Sequence, residues 1–226
     1  MAKIAMLHTS FVFLNVDPQI QNLVADLLPG DELVHFVDSG VLADVVRDGG
    51  IDDASTERMV HLAQAAEQAG ADVIFSACSS LGPAIDVAKD RVDVPIIKVD
   101  DAMARDAAAA GGRIGVLATV PTTLGPTADL IRSHGDGQQI EIVEKLAAGA
   151  FNVLMSGDRE GHDATVKDAA RELLAEGVDR IVLAQASMAR LADELAELTG
   201  IPVLASPRRG VEDLAEFVRH AAAADS

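Results

Sequence analysis

Short apolar runs alternate with longer amphipathic stretches along the whole chain. The runs read as strands near 3–8, 32–37, 72–77, 95–98, 113–118, 140–143, 179–184 and 202–204. Each is a brief block of aliphatic residues bounded by turn formers, the pattern a buried parallel strand needs. The stretches between them read as helices near 17–28, 55–69, 82–90, 100–110, 122–134, 146–156, 161–176, 187–198 and 209–222. Alternation of this kind defines an α/β chain with parallel sheets. Several ends carry chemical punctuation. Asp17-Pro18 reads as an N-cap followed by proline at the first helical position. Gly70 and Gly177 stop long helices where a left-handed C-cap fits, and Gly111-Gly112 marks a tight turn near the middle of the chain.

The pattern also repeats. Gly70-Ala-Asp-Val-Ile-Phe-Ser-Ala-Cys78-Ser-Ser80 returns as Gly177-Val-Asp-Arg-Ile-Val-Leu-Ala-Gln185-Ala-Ser187, an offset of 177 − 70 = 107. The same offset carries Pro95 onto Pro202 without a gap, and a second echo joins Ile4–Thr9 to Ile114–Thr119 at 114 − 4 = 110. A duplicated α/β unit implies two pseudo-symmetric, flavodoxin-like (Rossmann-like) parallel-sheet domains with an active-site cleft between them. The first is expected over 1–98. Residues 207–226, which have no counterpart at the end of the first half, are expected to cross back to it; the second domain is expected over 99–206. In that arrangement Cys78 and Gln185 face each other, a thiol opposite an amide.

Cys78 is the only cysteine and falls at the carboxyl end of a strand, before Ser79-Ser80-Leu81-Gly82 and a helix opened by Pro83. Ligands of open α/β sheets sit outside the carboxyl ends of the strands. A helix N-terminus there favours anions and lowers a thiol pKa, and Ser79 and Ser80 add hydroxyl donors. The competing reading is a small buried core cysteine. Thr9, Ser10 and Asn15 follow the first strand, Thr119, Thr122 and Thr123 follow its echo, and Ala186 and Ser187 follow Gln185. As a symmetric set they suit a small polar ligand; singly, each hydroxyl also reads as a local cap. His8 and His35 either titrate near neutrality or sit satisfied in strands. His162-Asp163 reads as a solvated helix start or cap, and Asp100-Asp101 as a helix-opening acidic pair. No glycine spacing matches a phosphate loop or dinucleotide fingerprint, so no nucleotide cofactor is expected. One cysteine makes no internal disulfide and no zinc cluster, so no metal is expected either.

Composition narrows the partners. The net charge of −18 argues against nucleic acid and anionic membrane surfaces, and an anionic ligand needs a local positive potential. With six Phe and no Tyr or Trp, there is no aromatic platform for single-stranded nucleic acid. Met1-Ala-Lys-Ile lacks the long apolar segment of a signal peptide, and no stretch approaches the roughly 20 apolar residues of a membrane span. A cytoplasmic protein is expected. Whether it forms a homo-oligomer is left open.

Ala77-Cys78-Ser79-Ser80 resembles the first cysteine motif of the aspartate/glutamate/hydantoin racemase superfamily. Ile114-Gly-Val-Leu-Ala-Thr119, with Thr122 and Thr123, resembles the segment opening its second domain. Leu183-Ala-Gln185-Ala-Ser187-Met188 resembles its second motif, Leu-Gly-Cys-Ala-Gly-Met in hydantoin racemases, and the strand-2 segment Val37-Asp38-Ser39-Gly40-Val41-Leu42 is of similar type. The resemblance covers nearly the whole chain. It implies a cofactor-independent isomerase acting on a small carboxylic acid: an amino acid, a dicarboxylate or a hydantoin-like compound. The family's racemases place two cysteines on opposite faces of the substrate carbon. Here the second is Gln185, and an amide is no general base. Three readings follow: a racemase-like isomerase with Cys78 as sole thiol; a decarboxylase or other lyase, similar to arylmalonate decarboxylase, in which Cys78 protonates an enediolate on one face; or a protein that binds a small carboxylate without turning it over.

Overall fold

The computed structural model describes residues 1–224. The chain begins with β1 (Lys3–His8), a π-helical turn (Val12–Val16), α1 (Gln19–Leu27), β2 (Glu32–Val37), α2 (Val41–Asp48) and α3 (Asp53–Gln68). It continues through β3 (Val73–Ser76), a 3₁₀ turn (Ser79–Leu81), α4 (Gly82–Lys89) and β4 (Ile96–Lys98). Then come α5 (Asp101–Ala110), β5 (Gly112–Ala118), α6 (Pro121–Ser133), β6 (Ile140–Leu146), α7 (Ala150–Met155) and α8 (Arg159–Ala175). Last are β7 (Arg180–Leu183), a 3₁₀ segment (Ala186–Leu191), α9 (Ala192–Thr199), β8 (Val203–Ala205) and α10 (Ser206–Ala224). Among the described residues the strands form two four-stranded sheets, ordered β2-β1-β3-β4 and β6-β5-β7-β8, with every pairing parallel. This is the doubly built α/β architecture the alternation implies.

The chain divides into two compact units: Met1–Val99 with the residues from Pro207 onward, and Asp100–Ser206. Residues 225 and 226, the end of the expected first domain, lie outside the described residues. In the first unit Ala5, Leu7 and Ile74 of the sheet pack with Val41 and Val45 of α2, Met59, Val60 and Ala63 of α3, and Ala84 and Ile85 of α4. In the second, Leu117, Ile181 and Leu183 pack with Val166, Ala170 and Leu173 of α8 and Leu195 of α9. On its other face Ile114, Val116, Val182 and Ala184 meet Met103 and Ala107 of α5 and Ile131 of α6. Each fully buried aliphatic side chain of this kind contributes about 1.5–3 kcal/mol.

The repeat is legible bond by bond. Lys3 N–H donates to the Asp72 carboxylate at 2.7 Å, and Arg113 N–H donates to Asp179 at 2.6 Å. Ile74 N–H donates to the Pro95 carbonyl and Ile181 N–H to that of Pro202, both at 2.9 Å. Ala77 N–H reaches the Leu7 carbonyl at 3.1 Å, and Ala184 N–H that of Leu117 at 2.9 Å. Gly112 has to be glycine: its φ is +83°, and a Cβ there would lie 2.5 Å from the Asp179 carboxylate.

The constant offset hides two compensating changes. The 3₁₀ turn after Cys78 covers Ser79–Leu81, whereas the one after Gln185 covers Ala186–Leu191, three residues more. Helices α4 and α9 then have eight residues each and start at 82 and 192, an offset of 192 − 82 = 110. The connection to the last strand is three residues shorter in the second unit (200–202 against 90–95), which restores 203 − 96 = 107. Pro95 does fall on Pro202, but not without gaps.

Other expectations need correcting. The helix expected over 17–28 starts at Gln19, with Pro18 in the N-cap position; Asp17 accepts from Gln19 N–H at 3.3 Å from one residue further back. The strand-2 segment ends at Val37, and Val41–Asp48 is a helix that the pattern did not announce. The helix expected over 146–156 begins only at Ala150, because β6 runs on to Leu146.

Candidate functional site

Two residues beyond the last register pair of each unit the same geometry recurs. β1 and β3 pair up to Leu7 and Ser76, so Thr9 and Cys78 stand two residues beyond. β5 and β7 pair up to Leu117 and Leu183, so Thr119 and Gln185 stand two residues beyond. Cys78 caps its 3₁₀ turn in extended conformation (φ −129°, ψ 110°), as Gln185 does (φ −134°, ψ 132°). Parallel strands fed by helices put these loops at the carboxyl end of each sheet, where such folds bind ligands.

In the first unit Cys78 is half-buried and packs against the core beneath α2, α3 and α4, with no disulfide. Ser79, Ser80 and Thr9 are buried, Ser10 is half-buried and accepts from Val12 N–H at 3.4 Å, and Asn15 is exposed in the π-helical turn. Ser10 is thus bonded within its own loop, and among the described residues no hydrogen bond ties Asn15 to the serines. Lys98, at the end of β4, pairs in register with Ser76 and is buried. Its ammonium meets Asp86 of α4 at 2.9 Å; the Lys98 side chain is 5% exposed and that of Asp86 52%, so solvent screens the carboxylate far more than the cation. A buried ammonium, paired with a carboxylate, thus lies one strand from the thiol. The loop after β2 is fixed by Arg58, which holds both Asp38 oxygens at 2.7 and 2.5 Å and Asp44 at 2.6 Å. The Arg58 hydrogen bond keeps the Asp38 carboxyl below the usual range.

His8 ends β1 fully buried, with Nε2 3.0 Å from Nδ1 of His35. Burial first, and the neighbouring His35 charge second, push its pKa down to about 4. It is neutral at pH 7.

In the second unit Gln185 is anchored through its carbonyl oxygen. Thr119 N–H donates at 2.6 Å, the Thr119 hydroxyl at 3.0 Å and Val120 N–H at 3.1 Å. Thr123 is buried with its N–H on the Val120 carbonyl, the Thr122 hydroxyl is buried, Ala186 is buried and Ser187 half-buried. Of the hydroxyls expected here, the structure joins only Thr119 directly to Gln185.

His162 is not at a solvated helix start. It is fully buried in the first turn of α8, with Nδ1 2.8 Å from Asp163, whose carboxylate is gripped by both terminal nitrogens of Arg190. Burial raises the Asp163 pKa, but the bonds from Arg190 and His162 outweigh it and leave the group below its ordinary range. Asp100 is buried at the N-cap of α5, and Asp101, in its first turn, lies 3.5 Å from His134. Among the described residues no three His, Cys, Asp or Glu side chains cluster to hold a metal ion, and no helix is long and apolar enough to cross a membrane.

Two α/β units with a thiol and an amide at equivalent strand ends define a racemase-type scaffold, and the sequence agrees: a model of the Asp/Glu/Hydantoin racemase family matches residues 15–214, and the chain belongs to that family. A hydantoin racemase of Rhizobium meliloti is 26% identical over 158 residues, 70% of this chain and 65% of that protein, so the match spans less than two thirds of the relative's length. Among solved structures, the glutamate racemase of Francisella tularensis in complex with D-glutamate is similar with a TM-score of 0.77, at 14% identity over 97% of this chain and 81% of the other. The allantoin racemase of Klebsiella pneumoniae gives 0.70, at 19% identity over 98% and 89%.

Proposed function

We propose that the protein is a cofactor-independent isomerase of a small carboxylic acid, with the two units as its domains and Cys78 as its single catalytic thiol. The observation that carries the reading is the setting of Cys78: beyond the end of β3, beside buried Ser79 and Ser80, with buried Lys98 one strand away. Hydantoin, glutamate and allantoin racemases share a chemistry, exchange at a carbon next to a carbonyl group, and an amino acid, dicarboxylate or hydantoin-like compound is the substrate class. The Cys78 thiolate takes the α-proton: the C–H bond breaks, an S–H bond forms, and the electron pair moves into the carboxyl group to give an enediolate. The thiol then returns the proton to the same face. With a single thiol, delivery to the other face falls to solvent. The anchoring of Gln185 favours a second reading, a lyase in which loss of carbon dioxide from a malonate-type acid leaves the same enediolate for Cys78 to protonate on one face.

A thermal-shift screen over amino acids, dicarboxylates, hydantoins and malonates identifies the ligand by linkage. With that ligand in deuterium oxide, wild-type protein exchanges the α-proton, and Cys78→Ser exchanges at least about a hundredfold more slowly while still binding. Exchange at the full rate in Cys78→Ala sinks the one-thiol mechanism. A bound ligand that neither exchanges nor decarboxylates leaves the binding-only reading.

A further inference from the structure

Gln185 stands where a second thiol is absent, and its anchoring fixes what it can do instead. The atom facing Thr119 N–H, the Thr119 hydroxyl and Val120 N–H receives hydrogen bonds at 2.6, 3.0 and 3.1 Å. Backbone N–H groups only donate, so this atom is the carbonyl oxygen, and the orientation of the amide follows from its partners. The NH₂ group is therefore turned away from the Thr119–Val120 turn. Among the described residues no hydrogen bond involves its nitrogen, and that nitrogen is not one of the buried unpartnered atoms. A donor with two N–H bonds, held in place by three hydrogen bonds on the other side of the same planar group, needs no reorganisation to meet an incoming acceptor.

We propose that Gln185 is an oxyanion donor: clamped through its carbonyl, it offers its NH₂ group to a carboxylate oxygen of a ligand at the carboxyl end of its own sheet. The proposal rests on the reading of the chain as an enzyme of small carboxylates, and it replaces the second acid–base group by a hydrogen-bond donor. It also fixes a selectivity. The ligand brings an acceptor oxygen to this loop, and a ligand presenting an N–H or ammonium group there leaves two donors in opposition. Gln185→Glu separates the two halves of the side chain. A carboxylate still accepts from Thr119 and Val120, so the clamp stays, but its outer oxygen can only accept and repels an anion.

The test is titration of ¹⁵N-labelled protein with acetate, malonate, succinate and L-glutamate at pH 7.5. The expected result is that the side-chain NH₂ signals of Gln185 move downfield with at least one of them. In Gln185→Glu the affinity for that anion falls about tenfold or more, the loss of one charge-assisted hydrogen bond, while the melting temperature holds. If the Ser79 and Ser80 amides respond and the Gln185 NH₂ signals do not, the donor role is overturned and the carboxylate-enzyme reading stands. If neither group responds to any of the anions, both fall. Wild-type affinity in Gln185→Glu also overturns the donor role.

Discussion

The carboxyl ends of the two sheets share their strand register and carry opposite chemistry. The first has Cys78, buried Lys98 with Asp86, and His8; the equivalent positions of the second are Gln185, Ala205 with Ala196, and Ala118. Every group that titrates or carries charge in this set is on one side. The second side keeps the strand-end hydroxyl, Thr119 for Thr9, and spends it on holding an amide. A duplicated scaffold can thus keep its ladder bonds without keeping its reactive groups. In the reading proposed above, one unit moves the proton and the other holds charge.

The largest effect expected from this asymmetry is a loss of stability in the first unit between about pH 6.5 and 4. His8 binds a proton near pH 6.5 when unfolded but only near pH 4 when folded. Between these values the unfolded state binds more protons, so stability falls as pH drops: full above about 6.5 and lost progressively towards 4, by about 3 kcal/mol in all. Urea unfolding at pH 7.5 and pH 5 measures it. His8→Asn weakens that dependence, leaving the smaller part due to His35, whose pKa burial also lowers, and a substitution at Ala118 leaves it unchanged. An equal pH dependence in His8→Asn and wild type breaks the distinction.

A smaller effect is expected from the amide clamp. Gln185→Leu leaves two N–H groups and a hydroxyl without their acceptor and costs about 2 kcal/mol. Cys78→Ala removes only a half-buried sulfur and costs about 1 kcal/mol. Chemical denaturation of the two variants reads the difference; equal losses imply that the second loop is no better anchored than the first.

The smallest effect tests the symmetry itself. Asp72 and Asp179 make the same bond to the start of β1 and of β5, so Asp72→Ala and Asp179→Ala are expected to cost the same, about 1 kcal/mol each. Unequal values locate a context difference in the amino ends of the sheets, away from the reactive loops.

What the sequence revealed follows from how much signal each feature carries. β1 carries the apolar run Ile4–Leu7 and β2 lies between Pro29-Gly30 and Ser39-Gly40, and the limits of both match the expected ones. α2 has eight residues between Gly40 and Gly49, and only Val41 and Val45 are buried, too little periodicity to stand out. The equivalence of Cys78 and Gln185 was legible because Gly70, Asp72, Ile74 and Ala77 return as Gly177, Asp179, Ile181 and Ala184 at one offset. The bond from Thr119 to Gln185 was not, since it joins groups 66 residues apart and depends on strand order. Lys98 was hidden by its apolar neighbours Ile96, Ile97 and Val99, while His162 was hidden by polar ones, Arg159, Glu160 and Asp163. In both, local composition gives the wrong account of a side chain whose burial is set by distant elements.

The compensating length changes around α4 and α9 make residues 78–95 and 185–202 interchangeable as whole cassettes: both start at the reactive position, both end at the proline before the last strand, and both are 18 residues long. A chimera that transplants the complete cassette preserves every strand register on either side. One that moves only the short turn, 79–81 in place of 186–188, keeps the residue count but cuts the longer 3₁₀ segment at its midpoint, leaving Ala189, Arg190 and Leu191 without the turn that leads into them. The unit of exchange in this scaffold is thus the loop together with the helix and the return to the sheet.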